Sequence, residues 1–350
     1  MISIILPIRN EKHFIASTLD SILSQSVDGI EIIIADGLST DGTQEIIKAF
    51  QKENSSIILI DNPEKIVSTG FNRALSKSTG EIIIRVDGHS IIHNDYVSKC
   101  KQQLNLKNCA CVGGLIQPLG NSIISKIITL ATSSKFGVGN SKFHYSINSN
   151  WSDTVYLGAY KREVFEKIGG YDEELVRNQD DEFNFRLIQN GGKIWLDPSI
   201  KSSYNPRDSF TKLFKQYFQY GFYKIRVIQK RRGIASWRHV VPGLFVLNLL
   251  FGLSIFLFTG NSILILSLCI PYLSFSLFAT IFELIKSRFN LLSVMMLPIT
   301  FFILHISYGL GFLMGFIYFL HKWGDIKTKD GHFEREQFTK NSNIFIKTNQ

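Results

Sequence analysis

Three acidic clusters in this chain have the residue types and spacing for chemistry on a phosphorylated ligand. The first reads Asp36-Gly-Leu-Ser-Thr-Asp41-Gly-Thr. A carboxylate followed by glycine and small hydroxyl residues that open a helix suits hydrogen bonding to a nucleoside, whereas Asp41 reads as the cap of that helix. The second is Arg85-Val-Asp87-Gly-His89. A carboxylate and an imidazole two residues apart can both reach one divalent cation, which would bridge a diphosphate and stabilise it as a leaving group. The plain alternative is a turn aspartate beside a solvated histidine. The third is Asn178-Gln-Asp180-Asp181-Glu182-Phe-Asn-Phe-Arg186. Three consecutive acids either complement a helix dipole or, by raising one another's pKa, furnish a general base. Successive positions on a helix point about 100° apart, so the three cannot share one pocket.

The elements around these clusters have a clear rhythm. Residues 2–6, 31–35, 57–60 and 82–86 are buried-strand runs rich in isoleucine. Between them, apolar residues recur at helical spacing over 15–23, 43–50 and 70–76. Continuous apolar strands between amphipathic helices predict a mostly parallel sheet covered on both faces. Such sheets take ligands in the crevice beyond the carboxyl ends of their strands. Arg9, Asp36 and Asp87 all follow strand ends and are expected along one rim. Residues 113–151 read as loops around one apolar helix near 123–131. Helices are predicted over 163–168 and 182–188, flanking the turn Gly169-Gly-Tyr-Asp172.

The 350 residues carry a formal charge of +9, and the charge is uneven. Lys201, Arg207, Lys212, Lys215, Lys224, Arg226, Lys230, Arg231, Arg232 and Arg238 crowd the segment before a long apolar region, opposed only by Asp208. A basic belt beside apolar spans usually faces the cytoplasm and anionic lipid. No nucleic-acid module accompanies it, so a nucleic-acid partner is not expected. Three segments, about 240–258, 262–282 and 298–320, approach the ~20 residues a span requires. Lys286 and Arg288 mark a cytoplasmic loop between the second and third. Three crossings would place the tail after Lys322 outside; a re-entrant segment or a further crossing would change the parity. Residues 210–227 read as an amphipathic helix in the membrane interface. The four cysteines match neither a paired-CxxC zinc site nor a disulfide framework, which agrees with a reducing compartment. The sequons at Asn54 and Asn150 are discounted for that reason. No signal peptide precedes the first strand run.

Taken in order, these motifs resemble the family 2 glycosyltransferases, and the similarity runs from Ser3 to about Gly233. Ser3-Ile-Ile-Leu-Pro-Ile-Arg-Asn-Glu11 resembles the opening strand and donor loop of that family. Gly70-Phe-Asn72-Arg73-Ala-Leu resembles the helix before the metal motif, and Val155-Tyr-Leu-Gly158-Ala-Tyr-Lys-Arg162 the acceptor-side segment. The closest subgroup is the succinoglycan-type exopolysaccharide glucosyltransferases with membrane spans. The resemblance implies a GT-A fold, a Rossmann-like α/β domain followed by an α-helical membrane region. It implies inverting transfer of a hexose, glucose among the candidates, from a UDP-sugar to a lipid-linked or polysaccharide acceptor at the plasma membrane. Carried over, Pro7, Arg9, Glu11, Asp36, Asn72, Arg73 and Asp87 would bind the donor. Asp87 and His89 would hold Mn²⁺ or Mg²⁺. Asp180 would be the base, with Asp181 as its neighbour in register, and Gly158, Arg162, Gln216 and Tyr220 would face the acceptor. His89 stands where the family's second metal acid is usual, and Gln179 replaces an acid before Asp180. Gln216-Tyr-Phe-Gln-Tyr220 lacks the Arg-Trp of processive members, which favours single-sugar transfer over a processive synthase. A non-catalytic nucleotide-sugar scaffold would be expected to have lost the acids. The expected layout is a catalytic domain over 1–235, with a donor half to about 115, an acceptor half over 116–205 and a basic helix over 208–235. A membrane region over 236–322 and a polar basic tail over 323–350 follow.

Overall fold

The computed structural model describes residues 1–120, 122–287 and 291–348. Arg288, one of the two basic residues assigned to the loop after the second apolar segment, lies outside them. The strands are β1 (Ile2–Ile8), β2 (Ile30–Asp36), β3 (Ile57–Asp61), β4 (Ile82–Arg85), β5 (Ser90–Ile92), β6 (Cys111–Pro118), β7 (Asn150–Ser152), β8 (Tyr156–Lys161) and β9 (Ile194–Tyr204). The helices are α1 (Ile15–Leu23), α2 (Thr43–Glu53), α3 (Val67–Lys77), α4 (Tyr96–Lys107), α5 (Ile123–Ser133), α6 (Lys135–Val138), α7 (Arg162–Ile168) and α8 (Gln179–Gln189). After them come α9 (Phe210–Arg231), α10 (Val241–Thr259), α11 (Ile263–Ser287), α12 (Leu291–Tyr318) and α13 (Arg335–Thr348).

The chain forms two compact units. The first comprises residues 1–117, 146–205 and 327–350, and the second 118–145 and 206–326. Among the described residues of the first unit, nine strands make one sheet in the order β3-β2-β1-β4-β8-β6-β9-β5, with β7 beside β9. β1, β2, β3 and β4 are parallel. Most isoleucines of β1, β2 and β4 are buried because helices cover the sheet, while Ile58 of the edge strand β3 is exposed. β8 joins β4 antiparallel, and β6 joins β8.

β1 is the point where strand order reverses, since β2 and β3 lie on one side and β4 on the other. The β1–β4 ladder ends at Ile5–Arg85, while β1–β2 continues to Ile8–Asp36. Ile5 O accepts from Val86 N, so Pro7, two residues on, points its ring nitrogen to the same side. There β4 has already departed, and no ladder donor is missed. The splay opens a crevice at the topological switch point.

Residues 111–118 and 156–161, expected as loop and as an unassigned segment, are strands. Gly113 and Gly114 disguise β6. A Cβ on the first would strike Val155, and one on the second the backbone of Ile200. Close approach, not a turn, selects glycine at both positions.

The tail after the apolar region belongs to the first unit. Phe338 is fully buried, and Phe333 packs on it at 5.1 Å. The Arg162 guanidinium stacks 3.5 Å from the Phe338 ring and donates to Phe338 O, Ser78 O and Gly80 O.

In the second unit, α10, α11 and α12 are long and apolar enough to cross a membrane: residues 237–259, 263–285 and 294–318, with mean hydropathies of 2.3, 2.0 and 1.7. Residues 291–297, expected as a lead-in to the third segment, are continuous with α12 through Pro298. Leu297, Phe301 and Leu304 of α12 close a core with Ile127, Ile128 and Ala131 of α5 and Leu213 of α9.

Candidate active site

Two loops leave the β1–β2 strand ends and interlock. Asn10 adopts φ 57°, a left-handed conformation that asparagine tolerates better than most side chains. Its backbone N–H donates to Ser39 Oγ at 2.8 Å, and its side-chain Oδ1 accepts from Thr40 N at 2.9 Å. Glu11 N donates to Thr43 Oγ1, and Lys12 N to Asp41 Oδ2. Asp41 also accepts from Thr43 N and Oγ1, closing the turn into α2, whose N-cap is Gly42 and not Asp41 as expected. Burial would raise its carboxyl pKa, but those bonds hold it below the ordinary value.

Asp36 is completely buried. It accepts from Ser39 Oγ at 2.5 Å, Ser39 N at 2.9 Å and Gln44 Nε2 at 2.6 Å. Its carboxylate therefore shapes the floor of the loop after β2. Leu38, at φ 54° and 38% exposed, forms the outer lip of that loop. Pro7 is buried beneath, and Arg9 is exposed at the rim.

The second cluster meets the first across the crevice. His89 Nδ1 lies 2.9 Å from Glu11 Oε1. Arg85, placed at the end of β4 with its side chain mostly covered, donates from Nε and Nη2 to Asp87 Oδ1 at 3.0 and 2.8 Å. Its Nη1 is 3.7 Å from Asp180 Oδ2. One guanidinium thus links the second acidic cluster to the third. Burial would raise the pKa of Asp87, but Arg85, with His89 and Arg177, draws it below the ordinary carboxylate value. For Asp180 the balance is opposite. Enclosure by surrounding protein raises its carboxyl and Asp181 adds to the rise, while Arg85 opposes it. The carboxylate itself stays 47% exposed, so it remains reachable.

The three consecutive acids divide as helical geometry requires. Glu182 is fully buried and paired with Arg186 at 2.9 and 3.0 Å. Arg186 also donates to Gly170 O at 2.6 Å and to Ile168 O. This is a buried anchor for the Gly169–Asp172 turn. Asp181 N donates to Asp180 Oδ1 at 3.0 Å, a local bond that steadies the first turn of α8. Asn178, at φ 63°, starts α8 abruptly and sets the register that brings Asp180 to Arg85.

The described contacts do not bring Asn72, Arg73, Gly158 or Arg162 into this network. Asn72 is wholly buried and holds Tyr171 N, Tyr171 O and Glu173 Oε1 at 2.7–2.8 Å. Arg73 pairs with Glu64 at 2.8 Å. A Cβ at Gly158 would collide with the Tyr160 ring, and Arg162 anchors the tail. Gln216 and Tyr220 bond to each other at 2.8 Å in the second unit. Sequence reasoning quoted Arg85 only as part of a motif and left it out of the site. A charged residue ending a run of buried isoleucines was the available signal. Tyr171 was likewise missed: its ring stacks on Phe71 at 4.0 Å, and Arg85 sits 5.9 Å from its centroid.

The fit of a divalent cation can be judged from the donors. Among the described residues, no group of three or more His, Cys, Asp and Glu side chains is arranged to hold a metal. A cation here would need ligands from a diphosphate in addition to the protein's own. The Arg85 guanidinium engages Asp87 through Oδ1. With the imidazole of His89 two residues on, this is a partial donor set of the kind a nucleotide completes.

Comparison with known proteins bears directly on this arrangement. The Glycosyl transferase family 2 model matches residues 3–169, which contain the first two acidic clusters. The succinoglycan biosynthesis protein ExoA of Rhizobium meliloti is 31% identical over 68% of this chain and 73% of its own length. The dolichyl N-acetyl-alpha-D-glucosaminyl phosphate 3-beta-D-2,3-diacetamido-2,3-dideoxy-beta-D-glucuronosyltransferase of Methanococcus voltae is 31% identical over 90% of this chain and 97% of its own. Among solved structures, the mannosyltransferase PcManGT from Pyrobaculum calidifontis, in complex with GDP-Man and Mn²⁺, shares the fold. Its TM-score is 0.53 at 16% identity, over 98% of this chain and 86% of that one. A sheet with its switch point at β1, carboxylates on the crevice rim and relatives matched along most of their length lead to one conclusion: the chain belongs to glycosyltransferase family 2 and is a glycosyltransferase with a GT-A fold.

Proposed function

We propose that this enzyme transfers a hexose from a UDP-sugar, with inversion, to a lipid-linked or glycan acceptor at a membrane. The observation that carries the reading is the Asp87–Arg85–Asp180 network. A carboxylate suited to a diphosphate-bound cation and a carboxylate suited to proton removal are linked through one guanidinium. In this reading Pro7, Arg9, Glu11 and Asp36 line the nucleoside end. Asp87 and His89 hold the cation, which would neutralise charge on the leaving diphosphate. Asp180 takes the proton of the acceptor hydroxyl. Its raised pKa favours that role, because a base poised nearer neutrality accepts a proton more readily. Gln216 and Tyr220 belong to the acceptor side.

The names of the relatives support the class of acceptor and donor. One is a succinoglycan biosynthesis protein and one modifies a dolichyl-phosphate sugar. The fold neighbour carries a nucleotide sugar and Mn²⁺. The three apolar helices support membrane association. The test is a donor screen on membranes containing the full chain. Each labelled nucleotide sugar is offered with extracted lipid-linked acceptors, and the anomeric configuration of the product is read by NMR. One donor should be turned over to a product of inverted configuration. Turnover of none, or a product of retained configuration, would overturn the proposal.

A further inference from the structure

Three helices qualify by length as membrane spans, but the path of the chain calls for an even number of crossings. The chain leaves the first unit after Asn205 and returns to it at Lys327. Its returning tail is built into that unit: Phe338 lies in the core, His332 Nδ1 sits 2.8 Å from Glu173 Oε2, and Lys329 O accepts from Glu173 N. A body that holds both flanks of the apolar region keeps both on one side of the bilayer. The number of crossings between them is then even.

The packing within the second unit identifies the helix that does not cross. α9 and α12 run parallel along their whole lengths. Leu213 meets Leu297, Phe301 and Leu304 near the start. Gly221 lies against Tyr308 O, while Gly311 and Gly315 lie against Phe218 O and Phe222 O. At the far end Gln229 Nε2 donates to Phe319 O at 2.8 Å, and Arg226 pairs with Asp325 at 2.8 Å. α9 carries Lys212 and Lys215 early and Lys224, Arg226, Lys230 and Arg231 late, a distribution strongly disfavoured across hydrocarbon. Both ends of α9 are also tethered, one by the chain and the other by an ion pair. Its start follows the first unit by residues 206–209, and its end is bonded to Asp325, two residues before Lys327. A helix of 22 residues, about 33 Å long, cannot cross with both ends held on one face. Its parallel partner α12 is constrained with it. α12 also has the lowest mean hydropathy of the three spans and the most buried surface, 39% of its apolar window against 17% and 11%.

We infer that α10 and α11 form a two-crossing hairpin that turns at Gly260, and that α9 and α12 lie together in the interface of the leaflet on the side of the bilayer that holds Asn205 and Lys327. The occupant of the exposed side of this pair is lipid, with Lys212 and Lys215 set for anionic headgroups. This topology goes beyond the proposed reaction and does not depend on it. The full chain is expressed with Asn261→Cys, at the α10–α11 turn, or Lys340→Cys, in the tail. Intact cells are treated with a membrane-impermeant maleimide, and the unsubstituted chain gives the background. Asn261→Cys should label in intact cells, and Lys340→Cys only after permeabilisation. Labelling of Lys340→Cys in intact cells would mean an odd number of crossings and would overturn the inference. So would an Asn261→Cys that labels only after permeabilisation. An epitope tag appended after Gln350 of the unsubstituted chain gives a readout independent of either variant. Protease added to intact cells should leave the tag, and its removal would equally refute the topology.

Discussion

Arg85 ends a run of isoleucines, and its guanidinium serves two carboxylates that are far apart in sequence. Its charge lowers the pKa of both Asp87 and Asp180. Removing it should raise both. The acid limb of the kcat profile, where the base becomes protonated, should therefore move to higher pH in Arg85→Gln. A limb that stays in place or moves lower would show that Arg85 does not tune the base. Asp180→Asn should lose roughly 10²–10⁴ in kcat while still binding the donor nucleotide, and Asp181→Asn should lose far less. The reverse order would assign the base to Asp181. At the cation site an imidazole donor favours Mn²⁺ over the oxygen-preferring Mg²⁺, so Mn²⁺ should support turnover at least as well. Full activity in excess chelator would contradict that expectation. The placement of Asp36 and Asp87 was legible in the sequence because carboxylates after strand ends form a pattern, and Asp180 stood out as one of three consecutive acids opening a helix. Their division of roles was not, because it depends on which face of α8 meets Arg85 and which meets Arg186.

The parallel strands were legible for a simple reason: strands buried on both faces are continuous isoleucine runs. β6 was not, since its paired glycines imitate a turn while serving a close backbone crossing. The tail was equally hidden, because its anchors Phe333 and Phe338 are isolated aromatics in a polar stretch. Two elements gain structural roles from this packing. α3 presents Asn72 to the Tyr171 backbone, where three bonds satisfy a buried amide. Asn72→Ala would leave Tyr171 N without that partner, at a cost of about 1–3 kcal/mol. It should also lower kcat through a loosened Tyr171, with the nucleotide Kd nearly unchanged. α13 delivers Phe338 to the Arg162 guanidinium. Phe338→Ala should destabilise the first unit by roughly 3–5 kcal/mol, read as a drop in its denaturation midpoint. A midpoint within error of the parent would show that the tail is only loosely attached.

At the scale of the whole molecule, the catalytic unit is discontinuous, built from three stretches of chain with the membrane region between the second and third. A chain ended at Ile326 keeps every acid discussed above but lacks Phe333 and Phe338, along with the tail partners of Arg162 and Glu173, Phe338 O and His332. It should insert into membranes yet show a catalytic unit that is cleaved by protease at a lower temperature than in the full chain. Equal resistance would show that the first two stretches suffice. The same arrangement imposes an order on biosynthesis. During translation residues 1–205 emerge first, the apolar helices follow, and the segment that meets Arg162 and Glu173 comes after them. A ribosome delivering residues in that sequence completes the enzyme only once its anchor has been made. Premature release upstream of the tail yields a polypeptide with an open seam where Phe338 belongs, a ready target for chaperones and proteases. Residues 327–350 thus join the first unit last, after all three apolar helices.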